Sequence, residues 1–172
     1  MRSNLAVTAV LIALSVTLGL LLVAVPNVEG VSAVSFFAGA ILGAGGGALV
    51  GAVAMGLFSL LNPLGPAAFP VLLGQVAGMT LVGCSGAAWR RLADSPARAA
   101  LLAGVFGGVL TFVYDVITNY GFAVLMGRWS DPLPFIAAGL PFSLMHIVSN
   151  VLVFAGVGAF VFSRRRPRGG AA

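Results

Sequence analysis

Charge is what this 172-residue sequence has least of, since only 8% of its residues are Asp, Glu, Lys or Arg. A water-soluble domain needs roughly 25% charged residues to cover its surface, so a soluble globular fold is excluded for most of the chain. Cysteine and histidine are as scarce. With Cys84 alone there is no internal disulfide, and with His146 alone there is no Cys/His spacing of a metal site. Cys84 is accordingly expected to be a small buried apolar residue near the cytoplasmic side. No G-x-x-x-x-G-K-[ST] phosphate loop occurs, so ATP hydrolysis through that motif has to belong to other chains. The arginines fall at segment ends and build no continuous basic face interleaved with aromatics, which argues against nucleic acid and assigns the formal charge of +5 to the membrane surface.

What the sequence does have is apolar length: 60% of its residues are hydrophobic and the mean hydropathy is +1.11. A helix needs roughly 20 apolar residues to cross about 30 Å of hydrocarbon. Six runs are candidates: Leu5 to Val25, Val31 to Leu42, Gly47 to Leu61, Ala67 to Trp89, Ala99 to Leu125 and Phe135 to Phe162. The second and third are short, and the stretch GAGGG from Gly43 to Gly47 reads either as a tight turn between them or as part of one broken helix. The first run is longer than the core of a signal peptide and has Pro26 where cleavage would fall, so it is expected to remain as a helix.

Arginine placement sets the expected orientation, because basic residues flanking spans are retained in the cytoplasm. Six crossings put Arg2, Arg90, Arg91, Arg98, Arg164, Arg165, Arg166 and Arg168 inside and only Arg128 outside. Merging the second and third runs would place the Arg90 to Arg98 loop outside, against the rule. The expected fold is therefore an all-α, polytopic bundle of six transmembrane helices in the cell membrane, with both termini cytoplasmic. Residues 1–163 form the bundle, and 164–172 form a basic, disordered cytoplasmic tail that touches anionic lipid. Outer loops fall at Pro26 to Gly30 (PNVEG), Asn62 to Pro66 and Gly127 to Pro134, each marked by proline and glycine. Trp129 is expected to anchor the outer interface and Trp89 the inner one.

Against this apolar background two ionisable residues stand inside predicted helices. An intramembrane charge is costly and faces the bundle interior or a wet cavity. Asp115 lies in YDVITN and His146 in HIVSN, and each has asparagine four residues on. Asp115 thus shares a helix face with Asn119, as His146 does with Asn150. Thr111 and Thr118 extend the first stripe, and Ser143 extends the second. Both ionisable residues are about 12 positions from their shared outer loop, or about 18 Å, which is near the midplane. Two readings follow: interhelical hydrogen bonding for its own sake, or the lining of a polar pocket to which Gln75 and Tyr114 would also contribute. Asn27, Glu29 and Asn62 sit in outer loops, where turn formation competes with contact to an entering solute. Ala9 and Ala13 give the first helix a small-residue face on which another helix can pack.

The six-helix size, the AVLIA spacing from Ala9 to Ala13, the PNVEG loop, the glycine-rich second and third segments leading to Asn62 and Pro63, and the YDVITN and HIVSN stripes together resemble the S components of energy-coupling factor (ECF) importers. The resemblance covers nearly the whole chain. It implies capture of a vitamin or similar micronutrient, riboflavin or a corrinoid among the options, by a subunit that is not itself an enzyme and needs no cofactor. It further implies partners, an ECF coupling membrane subunit and ATPase subunits, with Ala9 and Ala13 as the docking face. By the resemblance Asn27, Glu29 and Asn62 would gate the pocket; Asp115, Asn119, His146, Asn150, Gln75 and Tyr114 are assigned to its lining by their depth and polarity, not by a family motif. A proton-coupled secondary transporter using Asp115 and His146 is the nearest alternative, although the chain shows no internal repeat of the kind such carriers have. An intramembrane enzyme is less well supported, because Cys84 is expected far from His146 and Ser143 and Ser149 share His146's own helix. A scaffold that binds no ligand completes the set.

Overall fold

The computed structural model describes residues 2–164, with side chains from residue 4 onward, and is all helical. The residues of the basic tail from 165 to 172 lie outside the described segment. Six helices follow in order: α1 (Arg2–Leu22), α2 (Val31–Leu42), α3 (Ala44–Leu61), α4 (Phe69–Leu92), α5 (Pro96–Leu125) and α6 (Leu133–Ser163). Five of these are long and apolar enough to cross a membrane, and α2, with 12 residues, is not. At about 1.5 Å per residue α2 spans about 18 Å, little more than half the hydrocarbon thickness. The expected count of six helices therefore holds as six elements, of which five have the length of a span.

Local sequence explains where the helices start and stop. Ser95 caps α5, its Oγ accepting the Arg98 N–H at 3.4 Å, and Pro96 follows at the first turn, where a missing N–H costs nothing. Proline opens α4 and α6 in the same way. Within the GAGGG stretch only Gly43 breaks the helix: its φ of +86° is open to glycine and strained for other residues, and α3 begins at the next residue.

Seen from its neighbours, α2 is the axis of the bundle. It packs on α1, α3, α4 and α6, and nine of its residues are buried, which is why it carries no polar face. Glycines let it come close to α3 and α4: a Cβ on Gly39 would collide with the Gly83 carbonyl, and one on Gly86 with the Phe36 carbonyl. Around its C-terminal half lies an aromatic cluster of Phe36, Phe37, Trp89, Phe106 and Phe154, with adjacent ring centroids 5.0–6.0 Å apart. The expected role of Trp89 as an interfacial anchor is corrected here. It is fully buried, and its indole N–H donates to the Ala99 carbonyl at 2.9 Å. Trp129, by contrast, is 66% exposed in the α5–α6 loop.

The outward faces are apolar, with Leu101 and Leu152 67% and 68% exposed. A surface of that kind is stable against acyl chains and not against water, so the chain is a multi-pass membrane protein. Cys84 is a second correction, because it is exposed on α4 rather than buried. In lipid a small apolar side chain gains nothing by facing inward.

Candidate functional site

The most extensive helix–helix contact among the described residues joins the antiparallel pair α5 and α6, and two polar rungs cross it. In the first, His146 Nδ1 lies 2.9 Å from Asp115 Oδ1. One turn deeper, the Asn150 side-chain amide donates to Thr111 Oγ1 at 2.9 Å. The spacing of four residues on each helix brings these rungs into line, since i and i+4 share a face. Asp115 is 10 residues from the end of α5 and His146 13 from the start of α6, about 15 and 20 Å along the helices. The first rung is thus well inside a membrane.

A third group arrives from the α1–α2 loop. Glu29 reaches the same imidazole from its other side, with Oε1 3.7 Å from His146 Nε2, close enough for charge interaction and beyond direct hydrogen-bond reach. Its carboxylate also accepts the Ser32 N–H, at 3.0 and 3.2 Å to its two oxygens, and so caps the N-terminus of α2. Burial pushes the Glu29 carboxyl up, but the facing His146 and the Ser32 contacts outweigh it and hold the group below its ordinary value. At the opposite end of α2, Arg90 donates to the Ala40 carbonyl at 2.5 Å. The axial helix therefore carries an acid at its positive end and a guanidinium at its negative end.

The α1–α2 loop is drawn into the bundle by a second contact. Asn27 adopts φ +58°, a left-handed conformation that asparagine tolerates, and its carbonyl accepts the Ser149 hydroxyl at 2.5 Å. Both loop residues expected at an outer gate thus reach the middle of α6. Tyr114 stands beside the trio, its ring edge-on to His146 at 6.1 Å between centroids. Its hydroxyl lies 4.0 Å from Met55 Sδ.

Several polar atoms in and around this site are buried without a hydrogen-bond partner among the described residues: Asp115 Oδ2, His146 Nε2, Asn150 Oδ1, and also Gln75 Oε1 and Ser35 Oγ. Such atoms cost free energy unless something else satisfies them. The side chains of Glu29, His146 and Asp115 keep 21%, 11% and 12% of their surface accessible. The aromatic cluster lies deeper, with Phe154 one helical turn beyond Asn150, and closes the site toward the end of the bundle that carries Arg90 and Arg91.

Other residues singled out from the sequence lie elsewhere or make different contacts. Asn119 packs against Gly139 of α6, one turn from Asp115, and is half-buried. Gln75 is half-buried on α4, and among the described residues no hydrogen bond links it to the Asp115–His146 pair. Asn62 ends α3 and its Oδ1 accepts the Leu64 N–H at 2.9 Å, a turn-forming contact. Ala9 and Ala13 are exposed on α1. Thr111 lies on the α5 stripe expected from the sequence, whereas the Ser149 contact and the depth of the Glu29 carboxylate are what the sequence did not place. For Glu29 the signal was present in the brevity of α2, which sets the preceding loop deep.

No family model, curated protein or solved structure matches this chain. The class defined by fold and site is a multi-pass helical membrane protein with an acid–imidazole–acid cluster, two of its members buried, inside the bundle.

Proposed function

We propose that this chain is the substrate-binding S component of an ECF-type ABC importer in the cell membrane. It would capture a vitamin or related micronutrient from the outer face and deliver it through a separate ATP-driven coupling module. The observation that carries this reading is the meeting of Glu29, Asp115 and His146 inside the bundle with hydrogen-bonding atoms left over. Packing alone requires no such surplus, since one hydrogen bond per polar pair suffices to hold helices together. The aromatic seal lies on the arginine-bearing side, so entry is from the side of the α5–α6 loop, and arginine placement puts that side outside. The exposed Ala9 and Ala13 face on α1 would then be the surface presented to the coupling subunit.

Small-molecule uptake in cells carrying this chain with an ATPase pair and a coupling membrane subunit tests the proposal. Uptake should require all the components and fall on Asp115→Ala and His146→Ala. A second reading, a proton-coupled carrier, has one observation in its favour: Asp115, His146 and Glu29 lie in series, the first step a 2.9 Å hydrogen-bond contact and the second a 3.7 Å gap too long for a direct hydrogen bond. Uptake by this chain alone that collapses with the proton gradient would select it. Uptake indifferent to both substitutions would leave the rungs as interhelical hydrogen bonds only.

A further inference from the structure

Nothing in the described structure balances the charge of this site. With both carboxylates ionised and the imidazole protonated, Glu29, Asp115 and His146 would carry a net charge of −1, one more negative charge than the cluster offsets by itself. The positive end of α2 contributes only about half an elementary charge, and Glu29 already accepts its Ser32 N–H. The sequence has no lysine. Its described arginines stand at helix ends and in loops: Arg90, Arg91 and Arg98 around the α4–α5 junction, Arg164 after α6, and Arg128 in the α5–α6 loop, where it pairs with Asp131 at 2.5 Å. An uncompensated carboxylate in a low-dielectric interior is costly. The orphaned atom that shows where compensation is missing is Asp115 Oδ2, on a residue 9% exposed. In the ionised carboxylate this oxygen only accepts.

Resting on the binding-subunit reading, we infer that the ligand of this site carries a protonated nitrogen group, an ammonium or amidinium, that donates to Asp115 Oδ2 beside the Tyr114 ring while Glu29 supplies the second negative charge. A metal ion suits the geometry less well. The imidazole stands between the two carboxylates, so the three do not converge on one point, and among the described residues no group of three His, Cys, Asp or Glu side chains has the arrangement of a metal site. An anionic ligand would add to the imbalance, and a neutral one would leave it. Charge-assisted hydrogen bonds to a carboxylate are the stronger kind, so discrimination between a cation and its neutral isostere is expected to be about tenfold or more.

The test uses the full chain in lipid nanodiscs at neutral pH, titrated with three probes of one shape: benzamidinium, benzamide and benzoate. Binding is read by calorimetry and by thermal stabilisation. Benzamidinium should bind at least about tenfold more tightly than benzamide, and benzoate should not bind. Asp115→Asn should remove that preference, and Glu29→Gln, which retains a capping oxygen for α2, should weaken it. Equal binding of the three probes, preference for benzoate, or no benzamidinium binding at millimolar concentration would overturn the inference. Mass spectrometry of molecules released from the purified protein separates the two levels of the argument. A neutral or anionic molecule retained by the native chain and lost from His146→Gln would end the cation inference and leave the binding subunit standing. A protein that releases nothing, binds no probe and takes up only protons on a pH step would end both.

Discussion

The Asp115–His146 contact is the hinge of the functional reading, and its energy distinguishes a charged, buried pair from ordinary helix packing. The perturbation is a double-mutant cycle of Asp115→Ala, His146→Ala and the double variant. Interhelical hydrogen bonds in membrane proteins average about 0.6 kcal/mol and reach about 1.7, whereas hydrogen bonds to charged groups contribute about 1.5–3. The contact is 2.9 Å long between side chains only 11% and 12% exposed, so solvent screening is weak and the upper range applies. We expect a coupling energy of about 1.5–3 kcal/mol, with terms for the cavities cancelling in the cycle. Reversible unfolding in mixed detergent micelles measures it, followed by fluorescence of the buried Trp89 in a background where the exposed Trp129 is replaced by Phe. A coupling below about 0.5 kcal/mol would refute a charged pair and leave at most an ordinary interhelical hydrogen bond.

Other expectations follow from neighbouring features. Gly83→Ala inserts a methyl against the Gly47 carbonyl where α3 and α4 touch, and should cost about 1–3 kcal/mol in the same unfolding assay; an unchanged transition would mean that the helices sit farther apart. Because the Glu29 carboxyl is held below its ordinary value of 4.5, the unfolded chain protonates first as pH falls. The stability it contributes is complete above that value and is lost through the folded-state pKa below it, so the acid limb of a stability–pH profile should flatten in Glu29→Gln. With Cys84 exposed on an apolar face, it should react with membrane-soluble maleimides and resist charged ones, and rapid labelling by a charged reagent would place it in water. After Cys84→Ala, a cysteine at Ser130 should be labelled on intact cells by an impermeant maleimide and one at Ala97 only after permeabilisation, and the reverse pattern would invert the proposed orientation.

Much of the architecture was legible because lipid enforces it. Runs of apolar residues between prolines, glycines and arginines can only be helices where no water is present to satisfy the backbone. For the same reason Asp115 and His146 stood out, and their i+4 asparagines showed which faces they occupy. The inside–outside code was less legible, because apolar residues suit both the core and the acyl chains. That ambiguity hid the exposure of Cys84. It also hid the burial of Trp89, whose neighbouring Arg90 resembles an interfacial setting and whose real partners, Phe36, Phe37 and Ala99, are distant in sequence or lie on other helices. Loop depth was hidden as well. Glu29 and Asn27 read as surface residues until the length of α2 is converted into ångströms.

The half-length of α2 has a consequence for how an acid can live in this setting. A helix long enough to cross the hydrocarbon, as the other five are, has its ends near the headgroups, where water and salt absorb their partial charges. This one starts partway down, and so brings the attraction of free amide protons to a level that no loop arginine reaches. Extending α2 by one turn at its start would carry that attraction away from the imidazole and strand the carboxylate beside it in oil.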